Sequence, residues 1–394
     1  MIIRRRFFIK EKERLIAGNS MTDLELARKE IETADREIAA LFEKRMRAVE
    51  TIGAYKIQNG LPVYDAAREQ ALLDKNSAFI ENDLFRSYYV SFQQSVMSLS
   101  KRYQYAMQRG LKIAFCGVQG AFAERAAIKL FPNGEPVSYP DFDSAYSAVS
   151  YGDCDCCVLP IENSYFGEVG QVIDLMFNGD LYVSGVYSLQ IRHYLLGVPG
   201  ASVGDIKTVL SHPQALGQCA RYIRDHGFTA KEASNTAVAA ETVSKTADPS
   251  VAAIAGKETA ALYGLQVLDH DVNASAVNTT RFAVFSRSRK ERRSTDNVFI
   301  LLFQVTNTVG ALAKAVNIIS ANGFDMRVLR SRPVKDVPWQ YYFYVEAQGD
   351  VDSEDGQRML RALSVCCEKL KVAGCYSPDL DLEKMQSAEA EHEH

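Results

Sequence analysis

A chain of 394 residues exceeds one ordinary domain and points to roughly two to four. With 47% hydrophobic and 24% charged residues it has the balance of a soluble globular protein, and its net charge of −4 excludes the basic surface that a nucleic-acid binder needs. No run approaches the roughly 20 apolar residues that span a bilayer, so no membrane partner is expected.

Residues 1–20 place Arg4-Arg5-Arg6-Phe7-Phe8 where a twin-arginine export signal would have them. Such a signal needs about 7–15 apolar residues next, whereas Lys10-Glu11-Lys12-Glu13-Arg14 follows. We read 1–20 as a disordered extension or a start-site artefact with Met21 the working start, and expect a cytoplasmic protein.

From Thr22 to about Asn59, Leu24, Ala27, Ile31, Ala34, Ile38, Leu41, Phe42, Val49 and Ile52 recur at three- and four-residue steps, and Gly60-Leu61-Pro62 ends the pattern. This predicts a rod of roughly 55 Å. A second helix is expected from near Asp65 and a third over about 87–108. Three such helices do not close a core, so self-association is implied.

On the long helix, Arg45 and Lys56 lie within about 20° of each other and roughly 16 Å apart, close enough to hold a small dianion between them. Arg28 is about 25 Å from Arg45 and about 100° around the axis, so it reaches such a ligand only from a partner's helix. Asp65, Arg68 and Glu69 share one face of the second helix, and Ser100 and Gln104 share one of the third.

This segment, 21–109, resembles the all-helical chorismate mutases in the form fused to prephenate dehydratase. Arg28, Arg45, Lys56, Asp65-Ala66-Ala67-Arg68-Glu69 and Ser100-Lys101-Arg102-Tyr103-Gln104 fill the family's binding pattern at fitting spacing. The resemblance implies an interlocked helical dimer with one Arg contributed in trans. It gives Arg28 and Arg45 the substrate carboxylates, Lys56 and Gln104 the ether oxygen, and Glu69 the ring hydroxyl, with Asp65, Arg68 and Ser100 also at the substrate. The rearrangement of chorismate to prephenate is a concerted bond shift, helped by a compact grip and donors at the oxygen where charge grows, so no metal or cofactor is expected.

After Gly110 the pattern turns to alternating strands and helices: LKIAFCG then AFAERAAIKLF, CCVLPI then VGQVIDLMF, TVLSHP then ALGQCARYI, FTAKEAS then TAVAAETV, and VAAIAG then KETAALY. This is an α/β domain without a dinucleotide or Walker motif. Strand ends run into helix starts bearing small polar groups at 117–120, 162–164, 211–214 and 234–236, which suggests a cleft for a small anion between two lobes. Cys154, Cys156 and Cys157 lack paired C-x-x-C spacing and are read as buried in or beside a strand. With Cys116, Cys219, Cys366, Cys367 and Cys375 they are expected to be free thiols.

IAFCGVQGAFAERAA, VLPIENSYFGEV, SHPQALGQC and Asn278-Thr279-Thr280-Arg281-Phe282 resemble, in order, the motifs of prephenate dehydratase, whose fold is two-lobed and periplasmic-binding-protein-like. Ala121 and Ala123 stand where the family has hydroxyl residues, leaving backbone amides to serve that turn. The resemblance implies Thr280 at the leaving hydroxyl and Arg281 on the anion, with Asn163, Ser164, His212, Gln214 and Thr236 lining the site. Glu162 is open between proton donor and brace of the 163–170 turn. This domain is taken as 110–287.

Residues 288–296 read as a linker. In 297–380 the pattern is βαββαβ, with a helix from about Glu354 to Lys369, and it resembles a ferredoxin-like ACT domain, the amino-acid sensor of this family. Asn307-Thr308-Val309-Gly310-Ala311-Leu312 matches the ligand turn, and Ser331-Arg332-Pro333 most of a second motif, with Arg330 replacing the usual Glu. The implied effector is L-phenylalanine, at Asn307, Gly310, Ala311, Leu312, Ser331, Arg332 and Pro333. Residues 381–394 read as an acidic disordered tail.

The leading expectation is therefore a bifunctional enzyme turning chorismate into phenylpyruvate by way of prephenate, inhibited by phenylalanine, as a homodimer or higher oligomer. The alternatives are a monofunctional prephenate (or arogenate) dehydratase whose helical domain only dimerises, and a non-catalytic small-anion sensor.

Overall fold

The computed structural model describes residues 21–273, 278–335, 337–378 and 380–384, with side chains from Asp23 onward. The readings of 1–20 and of the tail beyond Lys384 lie outside them. The chain divides into two compact units, residues 1–110 and 111–394.

The first unit is three helices: α1 (Met21–Gln58), α2 (Ala66–Ser77) and α3 (Asp83–Arg109). Asp65 caps α2 by accepting the Arg68 amide at 3.0 Å, and Asn82 caps α3 through the Leu84 amide at 2.9 Å. The C-terminal half of α1 packs on α3 at close range. A Cβ at Gly53 would lie 2.9 Å from the Met107 sulfur, so any larger residue there would push that side chain aside. The N-terminal half of α1 has no such cover: Leu24, Ile31, Ile38 and Leu41 are all exposed.

The second unit opens with a lobe of strands β1 (Lys112–Cys116), β2 (Glu135–Tyr139), β3 (Cys156–Asn163), β4 (Gly167–Glu168) and β5 (Tyr182–Gln190). The chain then builds a second lobe from β6 (Tyr194–Gly197), β7 (Thr208–Ser211), β8 (Thr229–Glu232), β9 (Val251–Ala255) and β10 (Gln266–Asp269), in the order β10-β6-β9-β7-β8. It returns as β11 (Thr279–Ser286), which slots antiparallel between β3 and β5. Strand β3 is apolar from Cys156 to Ile161, with Cys157, Val158 and Leu159 sealed from solvent. Cys154, Cys156 and Cys157 are buried, as read from the sequence, and burial pushes the Cys156 thiol up to about 12.

The C-terminal portion runs β12 (Val298–Val305), a helix (Ala311–Ala321), β13 (Asp325–Pro333), β14 (Tyr341–Gln348), a helix (Glu354–Cys366) and β15 (Cys367–Tyr376). Its strand order, β13-β14-β12-β15, continues through β15 onto β5, so one sheet spans this portion and the first lobe. That junction is tight: a Cβ at Gly374 would meet the Val183 carbonyl at 2.0 Å. Two expectations are corrected here. The last helix stops at Cys366, not Lys369, because Lys369 and Lys371 pair in register with Gln304 and Leu302 of β12. The acidic tail is not disordered from Asp381: the Ser188 amide donates to the Leu380 carbonyl at 2.8 Å, Leu382 is 1% exposed, and Glu383 pairs with Arg125 and Lys129.

Candidate functional site

In the helical unit, α1 and α3 bring Arg45 against Ser100, with Gln104 one turn further along α3. The Arg45 guanidinium donates to the Ser100 hydroxyl, and burial lowers its pKa. Gln104 donates to the Ser100 carbonyl at 3.3 Å, is 7% exposed, and its Oε1 has no hydrogen-bond partner among the described residues. Lys56 reaches the Val63 carbonyl at 2.7 Å, and Glu69 pairs with Lys101 at 2.9 Å. Asp65 spends its carboxylate on capping α2, and Arg68 is exposed on that helix. Arg28 is exposed on the uncovered half of α1, far along the rod from Arg45.

Between the two lobes of the second unit lies a cleft of about 540 Å³. Asn163, His212, Gln214, Thr236 and Thr280 all line it, together with Gly117, Ala121, Phe122, His193 and Gln218. Its walls include the starts of the 122–130 and 236–246 helices, the second capped by Asn235 at 2.8 Å from the Val238 amide. His212 caps the 213–218 helix through Nδ1, and burial lowers its pKa.

The register of β3 against β11 sets which groups face the cleft. Thr280 stands opposite Asn163, and Arg281 opposite Glu162. Asn163 Oδ1 accepts the amides of Tyr165 and Phe166 at 3.0 and 3.1 Å, and its Nδ2 donates to Thr280 Oγ1 at 3.0 Å. Thr280 oxygen is thus an acceptor toward Asn163, which leaves its hydroxyl hydrogen to be given elsewhere.

Glu162 and Arg281, expected at the substrate, do not line the cleft. Arg281 binds Glu162 at 2.9 Å, holds Glu346 of β14 through two bonds of 3.0 and 2.9 Å, and donates to the Tyr376 hydroxyl at 2.8 Å. Burial opposes its charge, but the Glu346 carboxylate outweighs that and holds the guanidinium above its ordinary pKa; Glu346 is correspondingly lowered by Arg281 against its own burial. Glu162 also meets Arg330 of β13. Ser164 braces the turn instead of lining the cleft, its hydroxyl accepting the Thr279 amide at 3.0 Å.

In the C-terminal portion, Asn307 and Gly310 lie in an exposed turn after β12, and Ala311 and Leu312 begin the helix that follows. Ser331, Arg332 and Pro333 close β13 at the same end of the sheet, separated from β12 by β14 and so by about 10 Å. Arg332 is already paired, with Asp174 at 2.8 Å and with the cleft-lining Glu168 at 2.7 Å. Sequence reasoning missed His193, Gln218 and Glu168. Gln218 and Glu168 lay within the SHPQALGQC and VLPIENSYFGEV stretches without being singled out, and His193 lies outside every motif quoted.

Comparison with known proteins gives concordant matches to both halves. The prephenate dehydratase family model matches residues 113–290, and that of the type II chorismate mutases matches residues 27–105. The chain is 30% identical over 366 residues to a bifunctional chorismate mutase/prephenate dehydratase of Enterobacter agglomerans, covering 89% of this chain and 94% of that one. It is 32% identical over 352 residues to the protein of that description in Neisseria gonorrhoeae, covering 89% and 95%. Arogenate dehydratase/prephenate dehydratase 1 of Arabidopsis thaliana is 34% identical over 286 residues, 68% of this chain and 73% of its own. Among solved structures, a prephenate dehydratase from Arthrobacter aurescens in complex with L-Phe superposes with a TM-score of 0.63 at 25% identity, over 72% of this chain and 98% of that one.

Proposed function

The chain belongs to the bifunctional chorismate mutase/prephenate dehydratase family, and from that premise we propose how its parts divide the work. It rearranges chorismate to prephenate and converts prephenate to phenylpyruvate. The assignment of individual residues, the assembly and the regulation are our proposal.

In the mutase step Arg45 clamps a carboxylate, while Lys56 and Gln104 donate to the ether oxygen as its bond to carbon breaks. The partnerless buried oxygen of Gln104 supports a ligand there, since such a group is costly unless paired. Arg28 completes the site from a second copy, whose helix covers the exposed apolar stripe of α1. Glu69, Asp65, Arg68 and Ser100 border the same space.

In the dehydratase step the substrate gains one proton and releases water and carbon dioxide. The C–O bond breaks toward oxygen as the C–CO2 bond electrons complete the aromatic ring. Thr280 donates its hydroxyl hydrogen bond to the departing oxygen, oriented by Asn163, and the single observation that carries this is the 3.0 Å bond between them. The pyruvyl carboxylate lies at the start of the 236–246 helix beside Thr236, where the first-turn backbone and the helix dipole favour an anion. His212 and Gln214 flank it. Glu162 and Arg281 serve as a brace behind the catalytic strands.

The C-terminal portion is a ferredoxin-like ACT module, and L-phenylalanine binds at its 307–312 turn and the 331–333 strand end. The pairs Arg332–Glu168 and Arg330–Glu162 then connect that strand to the edge and back of the cleft. Eight free thiols suit a reducing, cytoplasmic setting. Supplying chorismate to the full-length chain tests this: chorismate should disappear and phenylpyruvate form, more slowly with phenylalanine, and Arg45→Ala should stop only the first reaction. Consumption of chorismate by Arg45→Ala at the unaltered rate would remove that residue from the site.

A further inference from the structure

The wall behind Thr280 carries a run of side chains whose protons can be placed from the backbone outward. An amide N–H only donates, so the Asn163 atom that takes the Tyr165 and Phe166 amides is its oxygen. Its nitrogen therefore donates, to Thr280 Oγ1 and to Asn278 Oδ1, both at 3.0 Å. That fixes Asn278, whose Nδ2 donates to Gln218 Oε1 at 2.9 Å. The same Gln218 oxygen lies 2.7 Å from His193 Nε2, so the ring proton is on Nε2. His193 Nδ1 is left as a bare lone pair.

That lone pair is not idle packing. His193 is 2% exposed, lines the cleft, and its Nδ1 has no hydrogen-bond partner among the described residues. Burial lowers its pKa against the opposing Gln218 bond, which favours the neutral ring. The Phe122 ring, edge-on at 5.6 Å, holds the imidazole from the side.

We propose that His193 contacts the substrate of the dehydratase step, its Nδ1 accepting the hydrogen bond of the ring hydroxyl that leaves. This rests on the dehydratase reading above. Prephenate carries two carboxylates and a ketone, all acceptors, and the ring hydroxyl is its one donor. A buried acceptor in this cleft is matched by that group alone. The hydroxyl gives its hydrogen to His193 and turns a lone pair to Thr280, whose own oxygen is occupied by Asn163. Gln218 and Asn278 are positioning residues: they fix the tautomer that keeps Nδ1 bare and tie it to the orientation of Thr280.

His193→Phe keeps an aromatic ring and removes the acceptor. In the full-length chain it should lower dehydratase kcat/KM for prephenate about 10- to 100-fold, as expected for one oriented hydrogen bond. The chorismate mutase rate of the same preparation should stay unchanged. A second measurement does not depend on the variant folding. In the 15N-histidine-labelled wild type, His193 should show an unprotonated Nδ1 and a protonated Nε2 at neutral pH. In labelled Thr280→Val, prephenate should shift the Nδ1 signal, and phenylpyruvate, which lacks the hydroxyl, should not. A folded His193→Phe with kcat/KM within twofold of wild type, a proton on Nδ1, or an equal shift with phenylpyruvate would each overturn the proposal. A wild type that forms no phenylpyruvate would instead overturn the dehydratase reading beneath it.

Discussion

Asn163 and Thr280 face each other across β3 and β11, and one residue along the same ladder Arg281 faces Glu162 on the opposite side of the sheet. One pair lines the cleft; the other closes the back of it against β13 and β14. The two pairs should therefore fail in different ways. Glu162→Gln should leave the kcat of phenylpyruvate formation within a few-fold of wild type and its pH profile unmoved. Arg281→Leu, which strands the 3%-exposed Glu346, should lower the stability of the second unit by about 3–5 kcal/mol, read as an early denaturant midpoint. Loss of an ionisation from the pH profile in Glu162→Gln would make it a proton donor after all.

The face assignment was not legible in the sequence, for a physical reason. Alternation from Pro160 would put Glu162 on the cleft side and Asn163 behind it. The register shifts between Arg281 and Phe282, so that Phe282 pairs with Pro160 and Ile161 is the extra residue. That bulge reverses the parity and brings Asn163 forward. The long helix of the first unit, by contrast, followed directly from its apolar spacing, while α3 begins at Asp83, four residues before the expected start. The 213–218 helix start and Thr236 were legible as polar groups following strands. His193 was not, because its role depends on Gln218 and Asn278, which are brought to it only by the return of the chain between the lobes.

Arg28 and Arg45 lie too far apart on α1 to meet one small ligand from a single chain. Mixed Arg28→Ala and Arg45→Ala protomers should regain a fraction of the mutase activity that neither variant has alone. Verified heterodimers without any rescue would place both residues in the same site or neither.

The segment after β15 is a strap across the first lobe. Leu382 is sealed among residues that include Ile113, Ala126 and Phe282, and Glu383 holds two cations of the 122–130 helix. Leu382→Ala should destabilise the second unit by about 2–4 kcal/mol without altering the first. An unchanged melting transition would mean that the strap is peripheral.

Stability should also carry the mark of His193. Burial sets its folded-state pKa below the ordinary value of about 6.5. Between those two values the unfolded chain binds a proton that the folded chain refuses, so folding stability rises with pH there and is lost as pH falls. His212, lowered by burial in the same direction, adds to the slope. The other ionisable groups lining the cleft are Cys116 and Glu168. Urea midpoints between about pH 7 and about pH 5 should fall more steeply for wild type than for His193→Phe, by up to about 1.4 kcal/mol per pH unit. Parallel slopes would show that His193 titrates alike in both states.

The most direct test of the account is the turnover of prephenate by Thr280→Val, which keeps the shape of the side chain and removes its hydroxyl. The arrangement with Asn163 predicts a fall in kcat of about 100-fold or more, with KM for prephenate nearly unchanged and the mutase reaction of the same chain intact. Phenylpyruvate formation at the wild-type rate would contradict it.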